Sequence, residues 1–226
     1  MQKLYCFSRE SFICYMQRMG WINDVPDGVA VISIDSVNET NNHYFKESTK
    51  NVLNIDCCDI SPEIYWNRDT SVDMYDKLEH EYIESLKNNT PYDDSAFIYN
   101  YGPAKNNTAV YPLNYKQADE IVKFIEAHKD CDFYIHCAAG VSRSQAIVRY
   151  ILDTYFDHQW KTRKENPPIC PKIHVVRMLK RMFLYHEKEF YPMDIIEEKS
   201  GYINASCYDT GKIREISERI KLNVIS

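Results

Sequence analysis

The chain has 226 residues, a length that suits one domain with a sizeable hydrophobic core. Hydrophobic residues make up 44% of the chain and charged residues 27%, the balance of an ordinary globular protein. The formal net charge of −6 excludes a protein built mainly to coat nucleic acid or an anionic membrane. We therefore expect no membrane partner, and nucleic acid is disfavoured as a partner.

The eight cysteines form no C-x2-C pair and have no zinc-finger spacing with histidine. We therefore predict neither a metal nor another cofactor. Residues 1–20 carry charges every few positions and lack the apolar stretch of a secretory signal, and no run reaches transmembrane length. These features predict a reduced, cytoplasmic location, the redox environment in which a reactive thiolate persists.

In the first half of the chain, apolar runs, four-residue spacing and capping signals predict strands that alternate with helices. The predicted elements are a strand at Leu4–Phe7, a helix from Ser8 to Met19 closed by Gly20, strands at Val29–Ile34 and Asn51–Asp56, an amphipathic helix that begins with a capping box at Thr70 and Asp73, and a strand at Ala96–Tyr99.

The second half continues the alternation. The predicted elements are a loop at 102–114, a helix from Tyr115 to His128, a strand at Asp132–His136, a helix from Ser142 onward, a break at Asn166–Pro171 and a helix from Ile173 to His186. Strands that alternate with helices indicate an α/β fold with a central, mostly parallel sheet flanked by helices. Ligands of such sheets bind beyond the carboxyl ends of the strands.

Residues 136–144 read HCAAGVSRS and stand between a predicted strand and a predicted helix. Five residues separate Cys137 from Arg143, so the backbone can curl until successive N–H groups point at one tetrahedral oxyanion. Gly140 relaxes the backbone demands of that curl, and Arg143 adds a planar charged fork suited to two phosphate oxygens. The same field stabilises a thiolate at Cys137, so the loop predicts phosphoryl transfer to sulfur.

This loop resembles the signature loop of the cysteine-based protein tyrosine phosphatases, and most of all that of the dual-specificity branch. The resemblance implies that Cys137 is the nucleophile that forms a phosphocysteine, and that Arg143 binds the phosphoryl group. It further implies that Ser144 donates a hydrogen bond to the departing sulfur and that His136 orders the loop without touching substrate. The phosphate-binding residues it implies are Ala138, Ala139, Gly140, Val141, Ser142 and Arg143.

The order of predicted elements is similar to that family over residues 1–186, which we expect to be a catalytic domain with a phosphatase P-loop between strand and helix. The segment 61–112 is longer than the corresponding part of compact family members and is a predicted insertion. We favour a role for it in local packing over one in substrate recognition. Residues 187–226 are predicted to be a C-terminal extension packed on the domain, because Ile213, Ile216 and Ile220 have helical spacing.

Cleavage of a phosphate ester also needs a proton for the leaving oxygen. The resembling families place an aspartate on a loop after an earlier strand. Here Asp59 lies just past the strand predicted at 51–56 and is the favoured general acid, and Asp56, still within the strand, is the alternative. Asp69 and Asp73 are outside candidates.

The variable loop residues are small and uncharged, whereas phosphoinositide phosphatases of this superfamily usually carry lysines there. The favoured interpretation is a phosphoric monoester hydrolase that acts on phosphotyrosine and on phosphoserine or phosphothreonine in phosphorylated proteins. A phosphate-binding pseudophosphatase or interaction module is one alternative. An RNA 5′-triphosphatase is another, although those enzymes typically have threonine where this chain has Ser144.

Overall fold

A parallel sheet flanked by helices forms the centre of the molecule, as the alternating pattern predicts. The computed structural model describes residues 3–36, 43–62, 65–66, 71–101, 108–155, 161–162 and 173–186. In chain order the elements are β1 (Lys3–Ser8), α1 (Arg9–Met19), β2 (Val29–Asp35), β3 (Val52–Asp56), α2 (Ser71–Asn88), β4 (Tyr99–Tyr101), β5 (Thr108–Val110), α3 (Tyr115–Ala127), β6 (Asp132–Cys137), α4 (Arg143–Thr154), β7 (Lys161–Thr162) and α5 (Ile173–His186).

The main sheet has the strand order β3-β2-β6-β1-β7, and every pairing in it is parallel. Four of its strands have five to seven residues, and β7 has two. The middle strand β6 pairs with β2 on one side and with β1 on the other. The carboxyl ends of β1, β2, β3 and β6 therefore meet at one edge of the sheet.

Helices cover both faces of this sheet. The smaller core cluster packs α1 onto one face, through Phe12 and Met16 against side chains such as Phe7 and Tyr134. The larger cluster lies on the other face, where α3 and α4 pack on the strands and α5 packs on both helices. The apolar run in β2 is continuous because this strand is covered on both faces. Its alternate side chains enter the two clusters.

The helix predicted after Thr70 is confirmed as α2, and its apolar side enters the larger cluster through Tyr75, Leu78 and Tyr82. The insertion of residues 61–112 stays a prediction, and the packing of α2 supports the local-packing interpretation for that part of it. Thr70, the break at 166–171 and the extension at 187–226 lie outside the described residues.

The strand predicted at Ala96–Tyr99 is wrong in place, because only Tyr99 of that range belongs to a strand. Ser95–Phe97 forms a 3₁₀ turn, and the strand begins at Tyr99 in a separate antiparallel pair of β4 with β5. The Asp93 carboxylate accepts a hydrogen bond from the Ser95 N–H at 2.9 Å, which favours a turn over an extended backbone, and Phe97 is buried in the larger cluster. The loop predicted at 102–114 likewise contains β5.

Candidate active site

The loop of residues 138–142 joins the end of β6 to the start of α4 at the carboxyl edge of the sheet. Cys137 is the last residue of β6, opposite Ser8 of β1, and is only 2% exposed. Arg143 is the first residue of α4 and is 5% exposed. The predicted strand, loop and helix are therefore all present, and they bring Cys137 and Arg143 to the two ends of one short loop.

The loop is curled by contacts to its carbonyl oxygens. The Ala138 carbonyl accepts a hydrogen bond from the backbone N–H of Arg9 at 3.1 Å, and the Gly140 carbonyl accepts one from Gln145 Nε2 at 3.0 Å. In a planar trans peptide the carbonyl and the next N–H point in opposite directions. The N–H groups that follow these two carbonyls therefore point away from Arg9 and Gln145.

Gly140 is required by both backbone angle and space. Its φ is +71°, and a Cβ built on it would lie 2.6 Å from the carbonyl carbon and oxygen of Phe7 and from the Ser8 nitrogen. Such distances are far inside van der Waals contact, and the clashing atoms are backbone atoms of β1. The loop can approach β1 this closely only because residue 140 has no side chain.

We therefore expect Gly140→Ala to lower the free energy of unfolding by about 3 kcal/mol or more and to reduce kcat/KM at least roughly tenfold through displacement of the loop. Gly20 is the matched control, because its φ is +72° and a Cβ there would meet nothing within 4 Å. Gly20→Ala should cost only about 1–2 kcal/mol, the strain of a left-handed alanine, and leave turnover unchanged. Chemical denaturation and steady-state kinetics of both variants test this, and equal losses would show that packing against β1 is unimportant.

The surroundings of Cys137 favour its thiolate. Burial alone would raise the pKa of the Cys137 thiol, but the Ser144 hydroxyl and backbone N–H, the Arg143 charge and the Gly140 N–H together lower that pKa below its ordinary value. Ser144 Oγ lies 3.1 Å from the Cys137 sulfur. A thiol that ionises more readily than a free one supplies the thiolate, which is the nucleophilic form of cysteine.

The Arg143 guanidinium is held through one of its terminal nitrogens. Its Nη1 donates to the Cys57 carbonyl at 2.5 Å and to Ser36 Oγ at 3.4 Å, both beyond the ends of neighbouring strands. Its Nε is buried and has no hydrogen-bond partner among the described residues. The guanidinium is thus fixed in orientation while part of its donor capacity is left for an anion.

His136 lies beneath the loop in β6. Its ring stacks on Phe12 of α1, with the ring centres 4.1 Å apart. Burial lowers the pKa of His136 to about 3, so the ring is neutral around pH 7. The contact fixes α1 against the strand that carries Cys137.

The two favoured aspartates have different partners. Asp59 lies at the rim of the loop, where its Oδ1 accepts a hydrogen bond from Ser142 Oγ at 2.9 Å. Asp56 Oδ1 instead lies 2.9 Å from Nε2 of His43, whose Nδ1 is 2.6 Å from Ser33 Oγ. Asp59 is therefore the aspartate next to the loop. Of the outside candidates, Asp73 is exposed in the first turn of α2, and Asp69 lies outside the described residues.

The residue that holds the Ala138 carbonyl also forms an ion pair. The sequence did not predict this ion pair. The Arg9 guanidinium pairs with the buried carboxylate of Asp35 at the end of β2, and the backbone of Arg9 holds the Ala138 carbonyl. Ser36 and the Cys57 carbonyl, which orient Arg143, were also missed. No local signal marks these residues, because their roles depend on which strand ends are neighbours.

An open pocket of about 390 Å³ adjoins the loop at Ala138. It is lined by Arg9, Glu10, Ile13, Cys14 and Ala138. Within the described ranges, no group of three or more His, Cys, Asp or Glu side chains could hold a metal ion. Of the helices in the described part of the chain, none is long and apolar enough to cross a membrane.

No family model matches this chain, and neither a curated protein nor a solved structure matches it. Its function is therefore inferred from the geometry around residues 136–144.

Proposed function

We propose that this protein is a cysteine-dependent protein phosphatase that hydrolyses phosphotyrosine and phosphoserine or phosphothreonine through a phosphocysteine intermediate. The observation that carries the proposal is the surroundings of the buried Cys137 thiol. Its pKa is lowered, its sulfur lies 3.1 Å from Ser144 Oγ, and the curled loop that follows it ends at Arg143, whose orientation is fixed. Residues 138–142 act as the P-loop.

Binding uses fixed donors. The N–H groups of the loop and the Arg143 guanidinium surround the dianionic phosphoryl group, and the N-terminus of α4 adds its positive dipole end. The donors need little rearrangement because the loop carbonyls are already held by Arg9 and Gln145. Such preorganised donors stabilise the charge that spreads over the equatorial oxygens in the transition state.

In the first chemical step the Cys137 thiolate attacks phosphorus, and the bond from phosphorus to the leaving oxygen breaks. Asp59 transfers its proton to that oxygen, so the dephosphorylated protein leaves with a neutral hydroxyl and Asp59 remains as a carboxylate. In the second step the Asp59 carboxylate takes a proton from water as the water oxygen attacks phosphorus. The sulfur–phosphorus bond breaks, inorganic phosphate leaves, and the Ser144 hydroxyl stabilises the departing Cys137 thiolate.

The direct test is hydrolysis of p-nitrophenyl phosphate by the reduced protein at about pH 6, before and after treatment with iodoacetate. We expect turnover that iodoacetate abolishes, and we expect inorganic phosphate to protect the enzyme from inactivation by iodoacetate. The protein should also release phosphate from phosphotyrosine and phosphoserine peptides. A protein that binds vanadate but hydrolyses none of these substrates would be a phosphate-binding module, and the enzyme proposal would be withdrawn.

For the general acid, we expect Asp59→Asn to lower kcat for phenyl phosphate about 100-fold, because the poor leaving group needs protonation. The loss should be smaller for p-nitrophenyl phosphate, whose leaving group needs less help. Asp56→Asn is the matched control, since its carboxylate faces His43, and it should keep the wild-type kcat for both substrates. An Asp59→Asn enzyme with an unchanged rate for phenyl phosphate would remove Asp59 from the mechanism.

A further inference from the structure

The Ser144 hydroxyl lies within hydrogen-bond distance of two sulfur atoms. It is 3.1 Å from the Cys137 sulfur, and the Cys6 thiol donates to Ser144 Oγ at 3.3 Å. The Cys6 sulfur also contacts the Gly140 carbonyl at 3.6 Å. Cys6 lies in β1, is 4% exposed, and reaches the site because β1 pairs directly with β6.

We propose that Cys6 is a positioning residue, whose S–H group donates to Ser144 Oγ and thereby directs the Ser144 hydroxyl proton onto the Cys137 sulfur. The effect on turnover rests on the proposed phosphatase function, whereas the effect on the Cys137 thiolate does not. Cys6 itself touches neither substrate nor phosphorus.

The argument starts from the bonding capacity of a hydroxyl, which has one proton to donate and two lone pairs that accept. Of the two neighbouring sulfurs, a Cys137 thiolate is the stronger acceptor, because a hydrogen bond to an ionised group is stronger than one to a neutral thiol. A group that donates to Ser144 Oγ occupies one of its lone pairs, polarises the O–H bond and leaves Cys137 as the acceptor for the proton. Cys6 is such a donor.

A protonated Cys6 thiol has one proton to donate, and its sulfur is only a weak acceptor. Burial raises the pKa of the Cys6 thiol to about 11; the hydrogen bond with Ser144 opposes that shift and the nearby Cys137 adds to it. Cys6 therefore keeps its proton around pH 7. The nearer acceptor for that one proton is Ser144 Oγ at 3.3 Å, and the Gly140 carbonyl at 3.6 Å is the more distant one.

The other titratable or charged groups near Cys137 come from four elements. They are His136 in β6, Arg143 in α4, Cys57 after β3, Cys6 in β1 and, at the loop rim, Asp59. Burial keeps His136 and Cys57 neutral around pH 7, with pKa values of about 3 and about 12. Direct chemical labelling of Cys137 reads the ionisation of that thiol alone, whereas a rate profile combines every ionising group of the reaction.

The experiment measures carboxymethylation of Cys137 by iodoacetate as a function of pH, read by mass spectrometry of the peptide that contains it. We expect Cys6→Ala to raise the apparent pKa of Cys137 by roughly half a unit to one unit, the size of one lost hydrogen bond. Cys6→Ser, which keeps a donor, should stay close to wild type. Cys131→Ala, in the turn before β6, is the control and should leave that pKa unchanged.

A second comparison separates positioning from packing. In a Ser144→Ala background, Cys6→Ala should shift the Cys137 pKa no further, because the hydroxyl that connects the sulfurs is gone. If Cys6→Ala does not fold, Cys6→Val removes the donor with added bulk and takes its place in both comparisons. In the active enzyme, Cys6→Ala should lower kcat about threefold to tenfold with KM within about twofold.

An unchanged Cys137 pKa in folded Cys6→Ala, or an equal shift in the Ser144→Ala background, would overturn the proposal. These outcomes differ from failure of the phosphatase proposal, which would abolish turnover in wild type and leave the labelling measurement intact.

Discussion

Replacing Cys137 with serine is expected to lower kcat for aryl phosphate hydrolysis by about four to six orders of magnitude. The hydrogen bonds from Ser144 and the Arg143 charge lower the pKa of the Cys137 thiol below its ordinary value, so the thiolate forms more readily than in a free cysteine. A serine hydroxyl starts from a far higher pKa, so the same surroundings leave it protonated and a poor nucleophile. Steady-state kinetics with p-nitrophenyl phosphate measure the loss.

Binding should survive the same substitution, because the loop N–H groups and Arg143 are unchanged. We expect inorganic phosphate to bind Cys137→Ser within about threefold of its wild-type affinity, and the melting temperature to change little. Cys131→Ser controls for the loss of a thiol elsewhere. Turnover that persists in Cys137→Ser would rule out a cysteine nucleophile.

Arg143→Lys is expected to reduce kcat/KM by about three orders of magnitude. The guanidinium is fixed by the Cys57 carbonyl and Ser36 and keeps its buried Nε for an anion, whereas a lysine offers a flexible point charge that cannot bind two oxygens in a fixed plane. Because lysine retains the positive charge, the pKa of Cys137 should move less in Arg143→Lys than in Arg143→Met. Carboxymethylation of Cys137 distinguishes the two variants.

The matched control is Arg149→Lys, two turns further along α4, where the side chain pairs with Asp153. It should lose little activity. If Arg143→Lys kept more than about a tenth of wild-type kcat/KM, then Arg143 would not bind the phosphoryl group through two donors.

The local patterns of the sequence predicted the elements that carry the candidate site. An apolar run before Cys137 and an apolar stripe after Ser142 define β6 and α4, and the small, glycine-containing residues between them define the loop. The parallel sheet followed from the alternation of strands with helices. The strand predicted at Ala96–Tyr99 failed because apolar composition alone does not reveal the turn there, where the Asp93 carboxylate accepts a hydrogen bond from the Ser95 N–H.

The contacts that organise the loop could not be predicted in this way, because they depend on sheet order. Cys6 is 131 residues from Cys137 in the chain, and it reaches Ser144 only because β1 lies beside β6. The need for glycine at residue 140 likewise comes from the backbone of Phe7, and not from any signal within the loop. Strand neighbours of this kind are a property of the whole fold.

The measurement that tests the central claim most directly is detection of the covalent intermediate. The reduced wild-type protein would be mixed with p-nitrophenyl phosphate, denatured rapidly during turnover and digested, and the Cys137 peptide would be weighed by mass spectrometry. We predict that this peptide carries one phosphoryl group, that it appears with a burst of p-nitrophenol, and that Cys137→Ser shows neither. Turnover with no phosphoryl group on Cys137, or with the group on another residue, would contradict the assignment of Cys137 as the nucleophile.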